Sequence, residues 1–403
     1  MKISSFALLN IIQFLGSVNE NLFKLLAAFF LIGDLGAEKS NTILAIIGSV
    51  YTIPFILFSN LGGVFADKFR KSQMIIVTRF LELACLSVGF FVFLFHLDSG
   101  PYVILFIMAT LGAIFGPSKY GVIPELLSDD QILYGNSVIA SFTFSGIIVG
   151  SAMASFSVWL TDSNYLICIS ITIFIALTQS IMSLFLPRTE VKNKNKKLRF
   201  FFHKELFESI QQMVSIPSLM AASIATAYFL FIAGFIQLNM IPYTMDIMHM
   251  EDITGGYFFL LTAVGVGLGS YFTNKVSKGV IHLGMSIYAG LGITVILSLL
   301  KWIFTPWWLI IIWMILAGFF GGIYLVPPQS YILKATPQQD RGRNFGTTNF
   351  LSYLFVLMAA IILYVSNTVM GFTPATSFFI VGVINLVFIS CLNLVTRWTR
   401  SFK

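Results

Sequence analysis

Long apolar runs separated by short polar breaks dominate the chain from end to end. Each run is continuous over roughly 20 residues or more, the length that a helix needs to cross the hydrocarbon core of a bilayer. The runs lack the alternating pattern of about ten residues that marks strands of a membrane barrel. The pattern predicts twelve transmembrane helices, at residues 6–32, 41–66, 72–96, 101–123, 132–160, 163–187, 214–245, 253–274, 280–302, 305–331, 344–367 and 372–396.

Lysine and arginine are distributed unevenly between the two sets of loops. Most of the 24 basic residues lie near the termini and in the even-numbered loops, whereas the opposite loops are slightly acidic. Cytoplasmic loops of membrane proteins carry such an excess, so both termini are expected in the cytoplasm. The first run follows a single lysine, but no small-residue cleavage site comes after it. We therefore expect a retained helix and not a signal peptide.

The composition is that of a protein in lipid. Hydrophobic residues make up 57% of the chain and charged residues only 10%, against about 25% charged residues in soluble domains. This excludes a soluble enzyme, a secreted domain and a disordered chain. The net charge of +7 lies in short clusters between apolar runs, which predicts no nucleic-acid partner. Cysteine and histidine show no metal-ligand spacing, and the sequence contains no catalytic triad or phosphate loop. We thus expect no catalytic residue, no metal and no cofactor.

One strongly polar segment divides the chain. Residues 188–213 carry a lysine cluster followed by FFFHKELFESI, a pattern typical of a short amphipathic helix on an anionic membrane surface. The segment is either a solvated linker or a docking site for a partner. We predict an N-terminal six-helix bundle at 1–187, this cytoplasmic linker, and a C-terminal six-helix bundle at 214–403.

The two halves repeat each other in the same topological sense. Three landmarks recur at nearly constant spacing: the basic loop after the second span, the glycine and proline that end the fourth, and the asparagine that opens the fifth. The matched residues are Asp67, Lys68 and Lys71 with Asn274, Lys275 and Lys278, Gly112 and Pro117 with Gly322 and Pro327, and Asn136 with Asn344. Parallel repeats of six spans are typical of the major facilitator transporters, whose substrate path lies between the halves. We therefore predict an all-α membrane protein with the major facilitator fold.

The loop from Gly63 to Lys71 resembles the signature of that superfamily between the second and third helices. Glycine permits close helix contact, and Asp67 can accept hydrogen bonds from the N-terminus of a neighbouring helix. The second glycine of the signature is absent from this chain. We predict a gate for alternating access formed by Gly63, Asp67, Lys68 and Lys71.

Charges inside spans are costly and therefore mark candidate functional sites. In the first span, Asn19, Glu20 and Lys24 form a polar cluster, in which Glu20 and Lys24 are four residues apart and able to pair. The cluster is either a headgroup-recognition site on the central cavity, which we favour, or an ion pair between helices. In the third span, Arg79 and Glu82 lie near the cytoplasmic loop. This position favours a pair that anchors the helix at the membrane surface.

The fourth span ends in residues 115–121, where glycine and proline predict a broken helix that lines a cavity or is buried in protein. Lys119 in this stretch either binds a phosphate group or extends to the cytoplasmic interface. Polar residues of other spans either line the cavity or bond helix to helix, and Gln329 is one such candidate. The predicted substrate-binding set is Asn19, Glu20, Lys24, Lys119, Asn136, Gln237, Asn239 and Asn349.

Three stretches resemble the bacterial lysophospholipid transporter family: QFLGSVNENLFK at 13–24, FGPSKYG at 115–121 and GGIYLVP at 321–327. The resemblance implies movement of lysophospholipid, chiefly lysophosphatidylethanolamine, from the outer to the inner leaflet of the bacterial inner membrane. An acyltransferase partner would then restore the diacyl lipid. It also implies lateral passage of the lipid between the halves without obvious proton coupling. In this reading Glu20 meets the headgroup amine and Lys119 its phosphate.

Two departures from that family affect the expected headgroup. Aspartate is usual at the position of Glu20, and an arginine that some members carry in the seventh helix has no counterpart in residues 234–239. An exporter of a soluble amphiphile, such as a siderophore or a drug, is the alternative function. A non-transporting scaffold that binds a lipid-remodelling enzyme through 188–213 is a third.

Overall fold

The computed structural model describes residues 4–36, 39–191, 202–250, 252–302 and 305–397. Within these residues the chain forms thirteen α-helices and no β-strand. The helices are α1 (Ser5–Leu35), α2 (Ser40–Lys68), α3 (Lys71–Leu94), α4 (Gly100–Leu126), α5 (Ile132–Leu160), α6 (Tyr165–Ser183), α7 (Phe202–Ser215), α8 (Pro217–Asp246), α9 (Asp252–Ser277), α10 (Gly284–Leu299), α11 (Trp308–Ala335), α12 (Arg341–Tyr364) and α13 (Pro374–Thr396). A π-helical turn, Val365–Val369, extends α12.

Twelve apolar helices match the twelve predicted spans. Eleven of those in the described residues are long and apolar enough to cross a membrane, and α10 is a shorter apolar helix of 16 residues. The ninth predicted span, 280–302, is therefore longer than the helix that forms there, Gly284–Leu299. The reason lies in the turn before α10, where Lys278 and Gly279 adopt positive φ angles of 47° and 83° and end the preceding helix.

The fourth span differs from its prediction. Glycine and proline in 115–121 were expected to break the helix, but α4 runs without interruption through Pro117 and Pro124. This prediction is wrong. Proline is tolerated inside membrane helices because neighbouring helices and local adjustments compensate for the hydrogen bond that it removes.

The amphipathic helix predicted in the linker is present as α7, as far as the structure describes it. Its exposed face includes Phe207, and its buried face includes Glu205 and Ser209. The predicted lysine cluster and the first two phenylalanines of the motif fall in 192–201, outside the described residues.

The helices group into two compact units. Unit one comprises Met1–Leu127, Ser145–Ser209 and Pro337–Phe350, and unit two comprises Ser128–Phe144, Ile210–Thr336 and Leu351–Lys403. Helices α5 and α12 contribute residues to both units. The predicted division at 1–187, 188–213 and 214–403 is a statement about the sequence halves and stays a prediction.

The internal repeat is visible in which helices contact each other. In unit one α1 contacts α2, α4 and α6, and in unit two α8 contacts α9, α11 and α13. The remaining neighbours correspond as well: α2 packs on α4 as α9 packs on α11, and α3 packs on α4 and α6 as α10 packs on α11 and α13. Each unit therefore buries one central helix, α1 or α8, among its partners. This placement buries five polar residues of α1: Asn10, Gln13, Ser17, Asn19 and Asn21.

Glycine allows the tightest of these contacts. A Cβ atom at Gly318 of α11 would overlap the backbone oxygen of Thr262 in α9, and one at Gly265 of α9 would overlap the oxygen of Ile315 in α11. The two backbones are thus in direct contact. Small residues at such crossings are the usual means of packing helices in a membrane.

Candidate functional site

The charged residues of the α1 polar cluster both contact Tyr51 of α2. Glu20 accepts a hydrogen bond through its Oε1 atom from the hydroxyl of Tyr51, at 2.8 Å. The Lys24 ammonium donates to the side-chain oxygen of Asn21 at 3.2 Å and lies 5.1 Å from the centre of the Tyr51 ring. Glu20 and Lys24 form no ion pair with each other, so the predicted pairing is wrong. Tyr51 contacts both residues: its hydroxyl bonds Glu20, and its ring face lies beside the ammonium of Lys24.

Arg79 and Glu82 form a buried ion pair and not a surface anchor. Both residues are less than one-tenth exposed, and Arg79 Nη1 lies 2.6 Å from Glu82 Oε2. The other carboxylate oxygen of Glu82 accepts from the Asn19 side chain at 2.9 Å. The predicted surface role is wrong because nearness to the loop along α3 does not determine which face of α3 meets lipid. This face meets α1 and α6.

Lys119 of α4 is enclosed in unit one. The residue is 8% exposed, and its ammonium lies 4.5 Å from the centre of the neighbouring Tyr120 ring. None of the hydrogen bonds or ion pairs between described residues involves this ammonium, and the charges close enough to act on it include Glu20 and Arg79. A buried cation without a paired anion is costly. The site therefore favours an anionic group from outside the described chain.

Two further side chains approach α4 on the turns before Lys119. Glu20 Oε1 lies 3.4 Å from where a Cβ atom would stand at Gly112, and the Asn349 amide nitrogen lies 3.2 Å from the same point at Gly116. Residues 112 and 119 are about 10 Å, or two turns, apart along the axis of α4. The negative charge of Glu20 and the positive charge of Lys119 therefore lie about two turns apart along this helix. We call Asn19, Glu20, Lys24, Tyr51 and Lys119 the unit-one cluster.

The predicted gate residues divide into two sets within unit one. Asp67 is fully buried and accepts from the backbone amides of Gly342 and Arg343 at 2.7 and 2.9 Å, at the N-terminus of α12. Gly63 allows this approach, because a Cβ atom there would overlap the oxygen of Gly342. The carboxylate thus meets the positive end of the α12 dipole, as its position in the loop led us to expect.

The two lysines of the predicted gate do not reach α12. Lys71 forms a buried ion pair with Glu125 of α4, at 2.7 Å. Lys68 is half-buried, with its ammonium 6.0 Å from the Phe69 ring. Glu125 was not among the predicted residues, because the predicted fourth span ended at residue 123. Glu125 could have been found from the sequence, because a charged residue near the end of an apolar run is costly and marks a candidate site.

The remaining predicted binding residues are Asn136, Gln237 and Asn239, which lie in unit two, and the two asparagines bond helix to helix. Asn136 is fully buried and donates to the oxygen of Val326 and to the Ser330 hydroxyl, each at 3.2 Å. Asn239 is also fully buried and donates to the oxygen of Pro374 at 2.8 Å. Gln237 is exposed. These contacts favour a packing role for Asn136 and Asn239 over the predicted contact with substrate.

A family model described as the Major Facilitator Superfamily matches residues 9–360. The chain belongs to this superfamily. The match covers most of the chain and agrees with the paired sets of helices in the two units. Members of this superfamily are transporters, so membership points to transport and not to an enzyme activity.

Curated relatives of this major facilitator protein include lysophospholipid transporters. The chain is 23% identical to the one from Enterobacter sp. (strain 638) over 341 residues, which cover 82% of this chain and 79% of the relative. It is 24% identical to the one from Cronobacter sakazakii (strain ATCC BAA-894) over 349 residues, with 84% and 81% covered. The resemblance found in the three sequence stretches is thus confirmed along most of the chain.

Solved structures of other major facilitator proteins share the fold. The fucose:proton symporter of E. coli superposes with a TM-score of 0.76 at 15% identity, covering 98% of this chain and all of that one. A bacterial homologue of the iron transporter ferroportin, in an outward-facing state, gives 0.74 at 14% identity over 99% of this chain. These similarities establish the architecture of a multi-pass membrane protein.

Proposed function

We propose that this major facilitator protein moves lysophospholipids across the bacterial inner membrane, with both of its termini in the cytoplasm. The observation that carries the proposal is the enclosed ammonium of Lys119, which has no anionic partner among the described residues and lies within electrostatic range of Glu20. A phosphodiester would supply the missing anion. The names of the curated relatives support the same substrate class.

The unit-one cluster suits a zwitterionic headgroup. Lys119 would bind the phosphate, and the carboxylate of Glu20 would bind an ammonium such as that of ethanolamine. The Tyr51 hydroxyl occupies one oxygen atom of that carboxylate and holds it in place for the second interaction. Lysophosphatidylethanolamine carries both charges, so it is the substrate that we propose first.

Transport by alternating access also needs a contact that is present in one conformation and absent in the other. We propose that the contact of Asp67 with the N-terminus of α12 is made and broken during alternating access, with Gly63 allowing the close approach. Helix-terminus contacts of this kind contribute about 0.3–2 kcal/mol, a size that a bound substrate can offset. The transported lyso-lipid would then be reacylated by an acyltransferase, and residues 188–213 are the proposed place for that partner to bind.

The test of the headgroup site is lipid binding by the purified protein, measured by native mass spectrometry. Wild-type protein is expected to retain lysophosphatidylethanolamine, whereas Lys119→Met is expected to bind it about 10-fold to 100-fold more weakly, because a hydrogen bond to a charged group contributes ~1.5–3 kcal/mol. Lys334→Met removes an exposed lysine of α11 and serves as the matched control. Equal binding by both variants would exclude Lys119 from the site. Displacement of the lipid by a siderophore or a drug would favour the export alternative.

A further inference from the structure

Three further buried polar residues, Arg79, Glu82 and Gln179, adjoin the unit-one cluster through Asn19. Glu82 accepts from Asn19 of α1 and from Arg79 of its own helix, at 2.9 and 2.6 Å. Arg79 also donates to the side-chain oxygen of Gln179 in α6, at 3.4 Å. All four residues are buried. One ion pair therefore bonds α3 to α1 and to α6.

The same ion pair touches α4 through an aromatic ring. The guanidinium carbon of Arg79 lies 3.9 Å from the centre of the Phe115 ring, which is the geometry of a cation–π contact. Phe115 is four residues before Lys119, so the two side chains lie on the same face of α4. Arg79 thus packs against α4 one turn before Lys119, on the same face.

On α1 the ion pair bonds the residue next to Glu20. Consecutive residues of a helix point about 100° apart, so holding Asn19 against Glu82 fixes the direction in which Glu20 can point. That direction is toward Tyr51 and toward Gly112 of α4. The bond made by Asn19 therefore determines where Glu20 meets α4.

Gly16 provides the space that Arg79 needs. A Cβ atom at Gly16 would lie 2.7 Å from Arg79 Nη1 and 3.2 Å from the Gln179 oxygen. Even one methyl group on this turn of α1 would displace the guanidinium. The position of Arg79 therefore depends on the absence of a side chain at Gly16.

We propose that the Arg79–Glu82 ion pair is a positioning element that fixes α1 against α4 and so sets the separation of Glu20 and Lys119. The separation of these two charges then determines which headgroups the site accepts. This inference rests on the proposed function for its consequence, headgroup selectivity. The proposal has a structural half, which is the placement of α1 on α4 by the ion pair, and this half does not depend on any substrate.

The structural half is tested by linking Glu20→Cys to Gly112→Cys with a short bifunctional thiol reagent, with the three native cysteines replaced by serine. The rate is measured in two proteins: one with these changes alone and one that also carries Arg79→Met and Glu82→Met. Both charges are removed together, because a single buried charge left unpaired would destabilise the fold. The cross-linking rate is expected to fall at least about tenfold in the double variant, since a shift of a few ångströms moves the two thiols out of the reach of the short reagent. Ser72→Ala with Thr189→Val removes another buried polar contact of α3 and is expected to leave the rate unchanged. An unchanged rate in the Arg79 and Glu82 background would overturn the proposal.

Selectivity is tested in vesicles by comparing lysophosphatidylethanolamine with a monoacylglycerol, which has the same acyl chain and an uncharged headgroup. The Arg79→Met and Glu82→Met variant is expected to lower the ratio of the two kcat/KM values about tenfold, mainly through KM for the charged lipid. Gly16→Ala, which keeps every charge, is expected to lower the ratio in the same direction and covers the case in which the double variant does not fold. Equal losses for both lipids would mean a purely structural role and would overturn the proposal. Absence of lyso-lipid movement by wild-type protein would contradict the proposed function, while the cross-linking result would still decide the placement of α1.

Discussion

At the residue scale, the candidate site depends on one tyrosine that no sequence pattern marks. Tyr51 is an ordinary aromatic residue in an apolar run, yet its hydroxyl bonds Glu20 and its ring lies beside the ammonium of Lys24. Glu20 and Lys119 were selected as candidates from the sequence because they are charged residues inside predicted spans. It could not assign their partners, because partners come from other helices. The same limit explains why Glu20 and Lys24, neighbours on one helical face, were expected to pair.

The Tyr51 contact gives a prediction at this scale. Tyr51→Phe keeps the ring beside Lys24 but removes the hydrogen bond that fixes the Glu20 carboxylate. We expect the affinity for lysophosphatidylethanolamine to fall about threefold to tenfold, since hydrogen bonds of this class contribute roughly 1 kcal/mol. Affinity is measured by lipid titration of the purified protein. Tyr271→Phe, on an exposed side chain of unit two, is the control, and equal affinities of the two variants would contradict the role of the hydroxyl.

At the element scale, the number and order of the helices followed from the apolar runs, and the pairing of the two halves followed from three repeated landmarks. Local signals were less dependable where packing decides the outcome. Pro117 was expected to break α4, but the surrounding helices keep it continuous. Arg79 and Glu82 were expected at the surface because of their position along α3, whereas the side of α3 that they occupy is set by contacts with α1 and α6. Hydrophobic periodicity says little about such faces when every face is apolar.

The contact of α9 with α11 gives a prediction for helix packing. Gly318→Ala is expected to destabilise the protein by about 1–3 kcal/mol, because the added methyl group meets the backbone of Thr262 and forces the helices apart. Gly256→Ala makes the same change in α9 where nothing lies within 4 Å, so it is expected to leave stability unchanged or slightly raised. Thermal unfolding in detergent measures both. Equal melting temperatures would contradict the close backbone contact.

The capping of α12 by Asp67 gives a second prediction at this scale. Asp67→Ala removes the acceptor for the amides of Gly342 and Arg343, so hydrogen exchange in the first turn of α12 is expected to become several-fold faster. Arg70→Ala, an exposed residue of the same loop, provides the comparison and is expected to leave exchange unchanged. Hydrogen–deuterium exchange with mass spectrometry resolves this turn. Unchanged protection in Asp67→Ala would show that the cap does not hold α12.

At the scale of the whole molecule, composition, repeat and family agree on a membrane transporter. The low content of charged residues places the chain in lipid, and superfamily membership assigns the fold. Most charged residues lie in the loops and set the orientation of the protein in the membrane. The few that lie inside spans are the candidates for substrate binding. Among them, Lys119 is a buried cation with no hydrogen bond or ion pair among the described residues, and Glu20 is close enough to act on it electrostatically. The central claim is that these two charges bind the headgroup of a lyso-lipid that the protein carries across the membrane.

The most direct measurement of that claim is the movement of fluorescent lysophosphatidylethanolamine across vesicles that contain the purified protein. Wild-type protein is expected to move the lipid at a rate well above that of empty vesicles. Glu20→Gln and Lys119→Met are each expected to lower the rate at least about tenfold with unchanged folding, while Lys334→Met keeps the wild-type rate. Movement of the lipid at the wild-type rate by both Glu20→Gln and Lys119→Met, or no movement by wild-type protein, would contradict the account.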